Sequence, residues 1–217
     1  MKTDAHVQQD VIAELKWDPE VNATKIGVEV TDGVVTLVGD VSSFAEKWSA
    51  ERAAQRVSGV AALAIEIKVN LPGQNQRKDA DIAHAADSVL HWMAHLPHDA
   101  IKVMVEGGWL TLSGEVDWEY QRQAATKAVG QLMGVLGVSD QIVLKHKVSR
   151  QVVKKDIEAA LKRRAQHEAE QIEVSVLGGD VTLNGKVNSW AERDLAVNSA
   201  WSAPGVLSVK ANIRVEL

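Results

Sequence analysis

Apolar residues recur along the chain with two alternating periods, and the whole pattern runs through three times. Val7, Val11 and Leu15 lie four residues apart, the spacing of one buried stripe on an amphipathic helix. Ile82, Ala86, Val89 and Leu90 form a second such stripe, and Val153, Ile157, Ala160 and Leu161 a third. After each stripe the period drops to two, in "IGVEV" (Ile26–Val30), "IKVMV" (Ile101–Val105) and "IEVSV" (Ile172–Val176). Asp32-Gly33, Gly107-Gly108 and Gly178-Gly179 then predict two-residue type I′ turns, whose residues take positive φ. Such a turn sets the register. Val30 should face Val35, Val28 face Leu37 and Ile26 face Gly39, all six on one sheet face.

A second helix follows each hairpin. Ser43-x-x-Glu46 and Ser189-x-x-Glu192 have the form of a capping box, with Asp117 as the expected cap of the middle copy. The stripe of this helix is small: Ala50, Ala53, Ala54 and Val57, then Ala125, Ala128, Val129 and Leu132. Small residues let the helix lie close to the sheet, and the strand glycines Gly39, Gly114 and Gly185 are expected to serve the same end. A last strand alternates at Leu63, Ile65, Ile67 and Val69, and again at Val209, Ala211, Ile213 and Val215. Asp140 breaks step in copy two, which predicts a late start or a bulge there.

Aligned on Gly39, Gly114 and Gly185, the copies stand 75 and then 71 residues apart. The chain is thus α+β: three tandem α-β-β-α-β units, each a three-stranded mixed sheet with two helices on one face. The expected boundaries are 1–72, 73–148 (with a polar linker over 72–79) and 149–217.

The hairpin motif and its later glycine carry a resemblance. Asp32-Gly33…Val35-Thr36-Leu37…Gly39…Val41 with Gly59-Val60 is similar to the BON domain, named for bacterial OsmY and nodulation proteins. Gly108…Leu110-Thr111-Leu112…Gly114…Val116 with Gly134-Val135 repeats it, as does Gly179…Val181-Thr182-Leu183…Gly185…Val187 with Gly205-Val206. The resemblance implies an OsmY-like, non-enzymatic binding module, associated with phospholipid or membrane-surface binding and with osmotic or envelope stress in bacteria. Its motif residues are structural and imply no ligand contacts.

Composition narrows the rest. A net charge of −5 argues against a nucleic-acid binder, and the absence of cysteine excludes thiolate chemistry and disulfides. No apolar run approaches membrane-spanning length, and the amino terminus as written lacks a signal-peptide core. A cytoplasmic location is therefore expected as written, or a periplasmic one if an export signal precedes this sequence. No glycine-flanked nucleophile, phosphate loop or spaced carboxylate pair suggests catalysis, and no cofactor is expected.

Seven tryptophans stand beside the single Phe44 and single Tyr120. Trp17 and Trp92 occupy equivalent positions, whereas the others fall where sister copies are often polar: Trp48 aligns with Gln123 and Asp194, Trp109 with Val34 and Asp180, and Trp201 with Gln55 and Gly130. With Trp118 they are the candidates for lipid or partner binding; burial between repeats is the structural alternative. Lys162, Arg163 and Arg164 could meet anionic headgroups, against the plainer reading of a charged helix face. Asp87, His91 and His95 would share a helix face and form a weak candidate metal site. The partners expected are a membrane lipid surface or an envelope protein. The alternatives are a cytoplasmic protein–protein adaptor using three modules multivalently and a metal-responsive module.

Overall fold

The computed structural model describes residues 2–145, 157, 172–203 and 205–215. Three sheets form, one per repeat, each with its hairpin's second strand in the centre. The first repeat comprises α1 (Asp4–Trp17), β1 (Ile26–Thr31), β2 (Val34–Val41), α2 (Phe44–Gln55) and β3 (Ala62–Val69). The second comprises α3 (Asp79–Trp92), β4 (Ile101–Glu106), β5 (Trp109–Val116), α4 (Glu119–Gly130) and β6 (Gly137–Leu144). The third shows β7 (Ile172–Leu177), β8 (Asp180–Val187), α5 (Trp190–Trp201) and β9 (Ser208–Val215). Of its expected first helix only Ile157 is described, and that residue is helical and fully buried.

The predicted hairpin register holds, with Val30 opposite Val35, Val28 opposite Leu37 and Ile26 opposite Gly39. The other hairpins pair in the same way, and β6 and β9 run parallel to β5 and β8. A parallel partner needs a crossover, and the second helix of each repeat supplies it. Val7, Val11 and Leu15 of α1 are buried, as are Ile82, Ala86 and Leu90 of α3. Each large apolar side chain buried in this way contributes about 1.5–3 kcal/mol. Both serine caps form: Ser43 Oγ accepts from Glu46 N and Ser189 Oγ from Glu192 N, while the two glutamate carboxylates accept the N–H of the residue before each cap, Ser42 and Asn188.

Four expectations are corrected. β6 neither starts late nor bulges; it matches β3 and β9 in length, and Asp140 is accommodated because its carboxylate accepts from Ile142 N at 3.0 Å. The cap residue of α4 is Trp118 rather than Asp117, and Gln121 Oε1 takes the N–H groups of both residues. Gly39 and Gly114 make room for backbone, not for a helix. A Cβ on either would run into the carbonyl oxygen of Lys25 or Ala100, and both glycines hold positive φ. Finally, Asp32, Gly33, Gly107, Gly108 and Gly178 take the expected left-handed turn conformation, but Gly179 does not.

The chain gathers into two compact units, one of Met1–Gly39, Ser49–Glu66 and Lys147–Leu217, the other of Asp40–Trp48 and Ile67–His146. In the first unit Ile157, Val174, Val181, Leu183, Ala196 and Ala200 centre the third repeat's core. In the second, Ile82, Ala86, Leu110, Leu112, Val116 and Val129 form the core, with Phe44 packed against it.

Candidate functional site

Helix geometry decides where the two equivalent tryptophans point. Trp17 stands two residues beyond buried Leu15, and Trp92 two beyond buried Leu90. Two residues turn a helix by about 200°, so each indole leaves the side opposite the core. Both are the last residues of their helices, and both are almost wholly exposed, at 84% and 85%. Next to Trp17, Asp18 caps α1 by donating its N–H to the Glu14 carbonyl. Arg56 ties this end down, donating to Glu14 Oε1 at 2.6 Å and Asp18 Oδ2 at 3.0 Å. Burial pushes the Asp18 carboxyl up, but the Arg56 hydrogen bond and charge, with the Glu20 N–H, hold it below its ordinary value overall.

The other tryptophans behave differently. Trp109 covers Gly137, its partner on the next strand, with the side chain still 58% exposed. Trp118 sits at the start of α4 and is partly exposed, while Trp48 and Trp201 are half-buried on α2 and α5. Trp190, which the sequence did not single out, donates its indole N–H to the Val60 carbonyl at 3.0 Å. Its ring also carries the Arg193 guanidinium at 5.5 Å from the centroid. Phe44 holds the same first-turn position of α2 that Trp190 holds in α5, and packs against Gly130 and the second repeat's core. At the third such position stands Glu119, a signal visible only once the three helix starts are superposed.

Glu119 is buried to 4%. Its Oε1 pairs with Arg122 Nη2 at 2.9 Å and accepts from Gln123 at 3.2 Å, while Oε2 has no hydrogen bond among the described residues. Arg122 also faces Asp140 at 3.5 Å. Burial raises the Glu119 carboxyl, against the opposing pull of Arg122.

The histidine arrangement departs from expectation. α3 ends at Trp92, so His95 lies beyond the helix and cannot share a helical face with Asp87 and His91. His91 instead stacks at a tilt on His98, centroids 5.2 Å apart, and His95 lies 5.8 Å from Tyr120. Gln121 donates to the His95 carbonyl at 2.5 Å, holding that loop. Among the described residues no group of three or more His, Asp or Glu side chains is placed to hold a metal ion. Lys162, Arg163 and Arg164 lie outside the described residues.

Three β-β-α-β units with a shared turn, a shared strand glycine and a shared Gly-Val now stand in register, the first two each preceded by a helix. The model of the BON domain matches at residues 3–70, 78–146 and 149–216. The chain belongs to the BON domain family. No curated protein matches it. Among solved structures, the C-terminal domain of CdsD, a structural protein of the type III secretion system of Chlamydia trachomatis, is similar at 14% identity. That match covers 100% of each chain with a TM-score of 0.26. A second CdsD structure matches at 14% identity over 97% of this chain and 92% of that one, TM-score 0.25. The PrgH periplasmic domain matches at 9% over 88% and 95%, TM-score 0.25. At these scores the likenesses carry no functional weight. Among the described residues of the three BON units, no helix is long and apolar enough to cross a membrane.

Proposed function

We propose that this triple-BON protein is a non-enzymatic binder of phospholipid surfaces, engaging them through Trp17 and Trp92. The observation that carries the reading is their equivalent placement: two modules end their first helix on an indole that is more than four-fifths exposed. An indole favours the boundary between headgroups and acyl chains, where its ring is shielded and its N–H stays hydrogen-bonded. With a net charge of −5 the chain gains little from anionic lipid, so insertion of the rings rather than charge supplies the affinity.

Co-sedimentation with phosphatidylcholine vesicles, with and without added phosphatidylglycerol, tests this directly. Binding is expected to both, with a blue shift of tryptophan emission, and Trp17→Ala/Trp92→Ala should abolish both signals while leaving the melting temperature nearly unchanged. Full binding by the double variant would overturn the reading, as would the absence of any binding by the wild type.

A further inference from the structure

The two equivalent tryptophans stand in different charge surroundings. Beside Trp17, Arg56 is tied to Glu14 and Asp18, so these charges at the end of α1 are already matched. With the 75-residue spacing, Lys16 and Glu20 of the first repeat become His91 and His95 of the second, and His98 stands where the first has Ala23. Three of the chain's seven histidines thus fall within eight residues around the end of α3, and all three are exposed.

The fold draws these imidazoles together with aromatic rings. His91 and His98 line one small cleft, with Leu90, Leu96 and Pro97, and their rings lie 5.2 Å apart. His95 lies 5.8 Å from Tyr120 in the first turn of α4, and its carbonyl accepts from Gln121. Trp92, Trp118 and Tyr120 all show apolar surface at this end, where α3 finishes and α4 begins.

The fixed charges leave the same end acidic. Asp87 and Asp99 border the cleft and Asp117 precedes Trp118, against Lys145, which follows β6 and donates its N–H to the Val116 carbonyl. Glu119 pairs with Arg122, Lys102 and Glu115 are diagonal neighbours on the sheet, and His84 lies two turns back along α3. Imidazoles take up their protons between about pH 5 and 8, so acid brings three positive charges here and reverses the local balance. Two protonated rings 5.2 Å apart repel each other, and an anion beside them relieves the repulsion. Protons and an anionic ligand therefore favour each other's binding.

We propose that the end of α3 in the second repeat is an acid-activated contact for anionic phospholipid surfaces, with His91, His95 and His98 supplying the charge and Trp92 the apolar anchor. The inference rests on the reading of Trp92 as a lipid contact and adds its regulation. At neutral pH the indoles bind without help from charge. In acid the second repeat gains about fivefold in affinity for each positive charge it brings to an anionic surface. The gain is present where the imidazoles hold their protons and is lost as pH rises through their range. The end of α1, with no histidine between Glu14 and Lys25, does not respond.

Co-sedimentation of the full chain at about pH 5.5 and about pH 7.5 tests this, using vesicles of phosphatidylcholine with and without phosphatidylglycerol. Affinity for the mixed vesicles should rise about tenfold or more in acid, while affinity for phosphatidylcholine alone stays level. His91→Gln/His95→Gln/His98→Gln should remove the acid gain and keep the neutral binding. His91→Arg/His98→Arg fixes the charge, and should raise neutral binding to the mixed vesicles by about tenfold or more. Equal affinity for mixed vesicles at the two pH values would overturn the proposal. So would an acid gain that survives in the glutamine variant or appears equally on phosphatidylcholine alone. Absence of binding to phosphatidylcholine at both pH values, with the acid gain on mixed vesicles intact, would overturn the tryptophan reading and support the histidine contact.

Discussion

Trp190 donates its indole N–H to the Val60 carbonyl at 3.0 Å, so a side chain of the third repeat closes on backbone of the first. Both residues belong to one compact unit, and the ring is half-buried as it makes the bond. Phe44 makes the corresponding reach in the other unit, from α2 onto the second repeat's core. In the first and third repeats, the first position of the second helix is thus where one BON module touches another. Trp190→Phe keeps the ring and removes the donor, and should cost about 1 kcal/mol. Trp190→Ala should cost more, because ring burial is lost as well. Urea unfolding of the two variants checks this; a Trp190→Phe midpoint equal to wild type would show that the hydrogen bond contributes nothing.

Trp109 covers Gly137, and a Cβ at that glycine would overlap the indole ring. Gly137→Ala should therefore displace the ring, at a cost of about 1–3 kcal/mol. Its tryptophan emission should shift red as the ring leaves the sheet. The first repeat carries Val34 and Ala62 at these two positions, which supplies the compensating change. Trp109→Val/Gly137→Ala should recover most of the lost stability in a double-mutant cycle. Simple additivity of the two changes would sink this pairing.

These two cases show which parts of the molecule sequence could reveal. Val28 opposite Leu37 followed from alternation and a two-residue turn, because both are local rules that point the same way. The three-unit architecture followed from repetition of that local pattern. Trp109 stands out in the sequence against Val34 and Asp180 of the sister copies, but its partner Gly137 lies 28 residues on, and only the parallel pairing of β5 and β6 joins them. Nothing in the sequence marks Trp190, because its partner is a backbone carbonyl, which leaves no trace in residue identity. The His91–His95 face failed for a local reason: α3 stops at Trp92, with Met93 donating its N–H back to the Leu90 carbonyl.

Asp79 holds two hairpin amides at 2.7 and 2.9 Å, and Asp4 does the same in the first repeat. Hydrogen bonds to a charged acceptor contribute about 1.5–3 kcal/mol each at most, less where solvent competes, and these tips are partly exposed. Asp79→Asn keeps the size and one acceptor oxygen but removes the charge. It should lower the melting temperature less than Asp79→Ala, and hydrogen exchange should accelerate at Gly107 and Gly108 in both. Unchanged exchange at those two amides would show that the carboxylate does not hold the turn.

Glu119 gives the chain a pH dependence of definite sign. Burial raises its folded-state carboxyl above the ordinary value, a rise that Asp140 adds to and that Arg122 and Gln123 oppose without cancelling. The folded chain therefore binds this proton more tightly than the unfolded chain does, and protonation favours folding. Its relative stabilisation is fully present below the unfolded carboxyl value and is lost as pH rises through the higher folded one. When ionised, the group sits at 4% exposure with Oε2 lacking a hydrogen bond among the described residues, which costs stability. Glu119→Gln retains the amide oxygen for Arg122 and Gln123 but cannot ionise. The variant should gain on wild type as pH is raised from about 4 to about 7, reading the difference in unfolding free energy at each pH. A difference that stays constant over that range would show that Glu119 titrates alike in the folded and unfolded chains. One that moved in wild type's favour as pH rose would mean that Arg122, rather than burial, controls the carboxylate.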